Sequence, residues 1–158
     1  MSLSIIVPTI NRESLLHTIN SVKAQTIPTE ILVEWDENHI GAGPMRNQMI
    51  QKVKTTWVGF CDDDDWLDPH YHEWLRKIRG ADMVIFQMQR PEGMILPGHT
   101  DIDRLAYNWV GVSFAMRTAV ALKYPFKNML GEDFDLIQRA VKAGLRLEID
   151  PRVGYFVG

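Results

Sequence analysis

The sequence holds a single cysteine, Cys61, in 158 residues. That excludes an intramolecular disulfide and fits a reducing compartment, so a cytoplasmic protein is expected. No stretch approaches the ~18 apolar residues of a membrane-spanning helix, and no membrane span is expected. The opening, MSLSIIVPTINRE, has no basic region ahead of its short apolar run. It reads as a first strand and not as a signal peptide. Charge is also scarce in excess: the net value is −3, too small to draw the chain as a whole toward nucleic acid or membrane. Repeats and low-complexity segments are lacking. What remains is 46% hydrophobic and 23% charged, the composition of one globular domain with an ordinary core.

The apolar runs alternate in kind. LSIIV (3–7) is continuous and β-branched, as suits a strand buried on both faces, and it stops at Pro8. Asn11 is placed to cap a helix over 12–25, where Leu15, Leu16, Ile19 and Val22 recur at helical spacing. EILVEW (30–35) is a second strand. After the Gly-rich DENHIGAG, Pro44 suits the first position of a helix carrying Met45, Met49, Ile50 and Val53. TWVGF (56–60) is a third strand. Asp68 and Pro69 signal a helix running to Ile78, and DMVIFQM (82–88) is a fourth strand. Residues 89–109 lack periodicity and contain Pro91, Gly93, Pro97 and Gly98. They read as a long loop without a fixed strand or helix, suited to closing over a bound ligand. Then follow a strand at 110–116, a short helix near 117–122, a helix at 132–143 ended by Gly144, and two short strands, LRLEI and VGYFV. Alternating strands and helices predict an α/β domain with a mostly parallel central sheet flanked by helices. Ligands of such sheets bind beyond the carboxyl ends of the strands, where PTINR, DENHIGAG and DDDDW all fall.

The segment FCDDDDWLDPHY (60–71) sets four aspartates in a row with no basic neighbour in sequence. On an extended chain Asp62 and Asp64 face one way, roughly 6.5–7 Å apart, with Asp63 and Asp65 facing elsewhere. One or two carboxylates with open positions suit Mg²⁺ or Mn²⁺ that also holds substrate phosphates. A Ca²⁺ loop would need more ligands and a central glycine, and zinc is poorly served by one Cys and no tight His pair. The plainer alternative is an acidic turn that favours the N-terminus of the following helix. One carboxylate suffices for that, and four exceed it.

Five segments in order carry a resemblance: SIIVPTINR (4–12), EILVEWD (30–36), GPMRNQMI (43–50), WVGFCDDDDWLDP (57–69) and LGEDFDLIQRAVKAG (130–144). Together they resemble the family-2-type glycosyltransferases of the GT-A fold. The resemblance covers nearly the whole chain. It implies a nucleoside-diphosphate sugar donor, expected to be a UDP-sugar, bound with Mn²⁺ or Mg²⁺. Pro8, Thr9, Asn11 and Arg12 are similar to the family's segment at the base and ribose, and Asp36 to its base-reading acid. WDENH stands where the family usually has two acids and Gly-Ser, so this segment does not specify the base. Arg46 and Asn47 resemble the helix start near the nucleotide. Asp62 and Asp64 match the D-x-D motif, in which the later carboxylate, Asp64, binds the metal and the earlier one, Asp62, lies nearer the ribose and can share the metal, with Asp63 between them in the donor site. Asp133 matches the catalytic base of inverting members. The resemblance implies a nucleotide-binding half (1–88) and an acceptor and catalytic half (89–158).

The chain departs from the family in its shortness and in lacking a Q-x-x-R-W sequence, which argues for non-processive transfer of a hexosyl-type sugar. The acceptor is not specified, and a partner chain in a homo-oligomer is one way to complete its pocket. Two rivals stand beside this reading. A sugar nucleotidyltransferase would need a Gly-rich basic loop after the first strand, and PTINRE has no glycine. A non-catalytic nucleotide-sugar-binding module would have no need of the acid at position 133.

Overall fold

The computed structural model describes all 158 residues. Strand β1 (Leu3–Thr9) is buried along its whole length, as its unbroken apolar run requires. It pairs in parallel with β2 (Glu30–Trp35) on one side and β3 (Trp57–Phe60) on the other. Helices α1 (Leu15–Lys23) and α2 (Ala42–Ile50) make the two crossovers. β4 (Trp66–Leu67) and α3 (Tyr71–Lys77) lead to β5 (Met83–Gln89), and β6 (Ile95–Leu96) folds back on β5. β7 (Phe114–Arg117), α4 (Thr118–Lys123), α5 (Glu132–Lys142) and β8 (Leu147–Phe156) complete the chain.

The eight strands form one sheet in the order β2-β1-β3-β7-β5-β8-β4, with β6 beside β5. β1, β2, β3, β5 and β8 share one direction, and β4, β6 and β7 oppose it. The sheet is therefore mixed, with its parallel pairings at β2-β1-β3 and β5-β8. The βαβ rule governs only the first three strands. After β5 the chain turns back and threads β7, antiparallel to both neighbours, between β3 and β5. The two halves of the sequence thus share one sheet. A continuous cluster of 32 buried apolar residues fills the space between sheet and helices. No helix is long and apolar enough to cross a membrane.

Several local readings change. Asn11 does not cap α1: it takes a left-handed conformation (φ 66°), and Ser14 occupies the cap position. The sharp turn at Asn11, closed by its N–H on Thr9 Oγ1 (2.8 Å), comes before the helix can begin. Pro44 is the third residue of α2, not the first, because Gly41 (φ 99°) already turns the chain into the helix. Asp68 accepts from the His70 N–H (2.8 Å) as a turn-former, so α3 starts at Tyr71. The loop expected at 89–109 contains β6, paired with β5 at Met88–Leu96 and Gln89–Ile95, and a 3-10 turn at Ile102–Arg104. Backbone pairing across a tight turn at Arg90–Met94 needs no side-chain periodicity, which is why the pattern was silent there. The strand expected at 110–116 is regular only from Phe114. The two closing strands are one, β8, with an irregular register where Pro151 cannot donate and the Asp150 carboxylate holds Arg152 Nε (2.8 Å).

β8 passes very close to β5 at Gly154. A Cβ there would lie 2.8 Å from the Phe86 ring and 3.0 Å from the Phe86 Cβ, and Phe86 is fully buried. Gly154→Ala is expected to lower stability by about 1–3 kcal/mol through overpacking. Urea unfolding measures it, and a variant as stable as the wild type would show that β8 has room to move.

Candidate active site

The carboxyl ends of β1, β2 and β3 open on one cleft of about 280 Å³. Pro8, Thr9, Ile10 and Arg12 enter it from the end of β1, and Asp36 from the end of β2. Ala42 and Arg46 come from α2, Asp62, Asp63 and Asp64 from the turn after β3, and Glu132 from the start of α5. Eight of the residues expected from the sequence thus share one cavity. Asn11 and Asp133 are not among its lining residues. Ile10, Ala42 and Glu132 were not anticipated. Only Glu132 left a signal, as the acid beside Asp133 at a helix start.

The turn after β3 sets a partner from elsewhere in the chain against each of its four adjacent carboxylates, with Arg12 serving two of them. The segment is a turn closed by the Asp65 N–H on the Asp62 carbonyl (3.1 Å), and exposure alternates along it. Asp62 and Asp64 remain 39% and 43% exposed, whereas Asp63 is only 8% exposed. The Asp63 carboxylate accepts from Thr9 Oγ1 (2.7 Å), from the Ile10 N–H (3.0 Å) and from Arg12 Nε (3.0 Å). It joins the end of β1 to the turn. Asp64 faces Arg12 Nη1 at 3.6 Å and is otherwise open. Asp65 is buried and accepts from the Tyr155 hydroxyl (2.5 Å) and the Gly158 N–H (2.9 Å). The same Tyr155 oxygen accepts from the Asp62 N–H (3.2 Å). From α1, the Ser14 hydroxyl donates to the Asp63 carbonyl (2.8 Å) and the Thr18 hydroxyl to the Asp65 carbonyl (2.6 Å). Trp66 packs between His17 and Phe156, with ring centroids 4.8 and 5.8 Å away, and serves the turn's support.

Asp36 organises the second wall. Its two oxygens accept from the Ile40 N–H (2.8 Å) and the Gly41 N–H (2.9 Å), folding the polar connection back toward α2. On α2 Arg46 is 1% exposed. Its Nη2 donates to Asp62 Oδ1 (2.5 Å) and its Nη1 to Glu132 Oε1 (3.0 Å). Burial alone would lower the guanidinium pKa, but the two carboxylates more than reverse this and hold it charged. Asn47 pairs with the backbone of Phe126 through both ends of its amide, each at 2.8 Å, so it fixes α2 against the segment before α5.

Glu132 and Asp133 open α5 after the left-handed Gly131. Asp133 is half-buried and accepts from the Phe134 N–H (2.6 Å). Desolvation raises its pKa above the ordinary carboxylate value, and the neighbouring Glu132 charge adds to the effect. Cys61, at the root of the turn, is fully buried, and burial pushes its thiol well up, so it is a packing residue and not a ligand.

Asp65 is pushed up to about 6, chiefly by burial, against the opposing hydrogen bonds from Tyr155 and Gly158. The native state therefore holds this proton more tightly than the unfolded chain, where a carboxylate titrates near ~4. The contribution of Asp65 to stability is greatest below that pH and declines as the pH rises toward about 6. Asp65→Asn is expected to abolish that decline. In EDTA, the unfolding free energy of wild type minus variant should fall between these pH limits and level off above them. A difference that stays flat with pH would mean that Asp65 titrates normally.

Comparison with known proteins agrees with this architecture. No curated protein matches the chain in sequence. Among solved structures, S. aureus TarS 1–349 superposes with a TM-score of 0.80 at 18% identity, over 99% of this chain and 60% of that one. The same protein in complex with UDP-GlcNAc gives 0.80 at 19% identity, over 99% and 58%, and in complex with UDP 0.80 at 19%, over 99% and 60%. The chain thus spans about 60% of the length of these structures, and at such identity the likeness establishes the GT-A-like fold. Residues 30–127, well over half of the chain, match the description "Glycosyl transferase family 2". The chain belongs to glycosyl transferase family 2.

Proposed function

We propose that the chain transfers a hexosyl-type sugar from a nucleoside-diphosphate sugar, with UDP as nucleotide, to an acceptor hydroxyl. The transfer is metal-dependent and non-processive, and it inverts the anomeric centre. One observation carries the metal requirement. The cleft is lined by five carboxylates, of Asp36, Asp62, Asp63, Asp64 and Glu132, against two guanidinium groups, of Arg12 and Arg46. A diphosphate does not enter a cleft of that sign unaided, and a divalent cation reverses the local field. Asp64 and the second oxygen of Asp62 fit this task, because both carboxylates are open to solvent. No group of three His, Cys, Asp or Glu side chains is arranged to cage an ion. This is the donor set of Mg²⁺ or Mn²⁺ that completes its shell with phosphate and water. When bound, the ion would stabilise charge on the departing diphosphate.

The chain's own residues supply the rest. Pro8, Thr9 and Asp36 shape the base and ribose end of the cleft, and Asn11 makes the turn that brings Arg12 to it. Arg12, half-exposed and held by Asp63, presents its guanidinium to the phosphates. Asp63 fixes the turn that carries Asp62 and Asp64. Asp133 takes the proton of the acceptor hydroxyl as that oxygen attacks the anomeric carbon, and its raised pKa makes it a stronger base than an exposed aspartate. In this division residues 1–88 serve the donor and 89–158 the acceptor. The TarS complexes with UDP-GlcNAc and UDP support UDP as the nucleotide.

Two measurements test this reading. Calorimetry should show UDP affinity rising with Mn²⁺, and Asp64→Ala should lose that gain. Equal affinity in excess chelator would remove the metal from the mechanism. Asp133→Asn should keep the UDP–Mn²⁺ affinity while turnover of a UDP-sugar falls by about 10²–10⁴. Near-normal turnover in that variant would take Asp133 out of the chemistry. Binding of UDP-sugars without turnover by the wild type would instead support a nucleotide-sugar-binding module.

A further inference from the structure

Arg46 was expected to sit beside the nucleotide, yet its side chain is 2% exposed and both of its terminal nitrogens are engaged by protein carboxylates. One carboxylate belongs to the aspartate turn after β3, the other to the first residue of α5, 86 positions away in sequence from Arg46. The guanidinium lies 5.3 Å from the centroid of the Phe126 ring, which closes its apolar side. Its Nε is buried without a partner. The side chain is therefore wedged between two elements, with both terminal nitrogens engaged and Nε enclosed.

We propose that Arg46 is a positioning residue that couples the aspartate turn to the start of α5, so that occupancy of Asp62 and the placement of Glu132 depend on one another. This rests on the metal-assisted donor reading above. The coupling follows from charge. One guanidinium is shared by two carboxylates that do not touch each other through any other residue. A cation arriving at Asp62 draws charge from that carboxylate, weakens its hold on Arg46 and strengthens the Arg46–Glu132 pair. The pair lies at the residue before Asp133, so filling the donor side tightens the segment that carries the proposed base. The converse also holds, because coupling between two sites is reciprocal. If the Glu132 charge is removed, the whole guanidinium turns to Asp62 and competes with the metal there.

A double-mutant cycle tests the coupling. UDP affinity is measured by calorimetry in saturating Mn²⁺ and in EDTA, with thermal unfolding as a check that each variant is folded. Glu132→Gln should weaken UDP–Mn²⁺ binding by about threefold or more in the wild-type background and by clearly less in Arg46→Met. In EDTA, where no cation competes with the guanidinium for Asp62, the effect of Glu132→Gln on UDP affinity should be the same in both backgrounds. Arg46→Lys, with one point charge in place of a fork, should fall between wild type and Arg46→Met. It also provides the cycle if Arg46→Met does not fold. Additive effects within about twofold would overturn the coupling and leave the donor reading standing. Loss of UDP binding by Arg46→Met in EDTA as well would show direct contact with the nucleotide and overturn it too. A wild type whose UDP binding does not respond to Mn²⁺ would remove the donor reading, and the coupling with it.

Discussion

Four adjacent carboxylates repel one another, and the fold is arranged to set a partner against each, with Arg12 serving two. Asp62 meets Arg46 from α2, Asp63 meets Arg12 and the end of β1, Asp64 faces Arg12 and solvent, and Asp65 meets Tyr155 from β8. These partners come from the beginning, middle and end of the chain. The turn after β3 therefore cannot form from local sequence, and it acquires its shape only when α1, α2 and β8 are in place. An isolated pair of exposed charges contributes little to stability, but a buried carboxylate left without donors is strongly unfavourable. Asp63 and Asp65 are the buried members of the four. They tie the site to the sheet, and their neighbours remain free for a ligand.

This division of labour follows from the turn at Asp62–Asp65, closed by the Asp65 N–H on the Asp62 carbonyl (3.1 Å). It brings Asp63 and Asp65 to hydroxyl and amide donors and leaves Asp62 and Asp64 the more exposed pair. Backbone groups take part as well. The carbonyls of Asp63 and Asp65 accept from Ser14 and Thr18, which lie one helical turn apart at the start of α1. Helix α1 thus grips the turn from one side and β8 from the other. A rigid frame of this kind lets a loop present carboxylates at fixed positions, which a metal-dependent site requires.

Much of this was legible in the sequence because the signals were strong and local. The unbroken apolar runs of β1 and β3 and the apolar spacing of α1 and α5 placed the sheet and its helices. The rule that ligands bind beyond strand ends then gathered Pro8, Arg12, Asp36 and Asp62–Asp64 into one cleft. The readings that failed concerned interactions distant in sequence. Nothing local marks β7 as antiparallel between β3 and β5, or β6 as a partner of β5, because those pairings are made by backbone groups. Arg46 looks in sequence like any charged residue on a helix. Its burial is decided by Asp62 and Glu132, brought to it by the closing of the sheet. Asn11 shows the opposite failure: a good cap by composition, displaced because the turn after β1 has to deliver Arg12 to Asp63 first.

The opening of α5 sets two adjacent acids in different surroundings. Consecutive helical residues point about 100° apart. Glu132 lines the cleft, and the next residue, Asp133, does not. The surface around this start differs from the cleft in character. Tyr107, Met129 and Leu130 are exposed there, with Tyr107 packed over Gly131, whereas the cleft itself is dominated by carboxylates. Surfaces of different polarity thus meet at one helix start. The Arg46–Glu132 pair lies at the boundary between them.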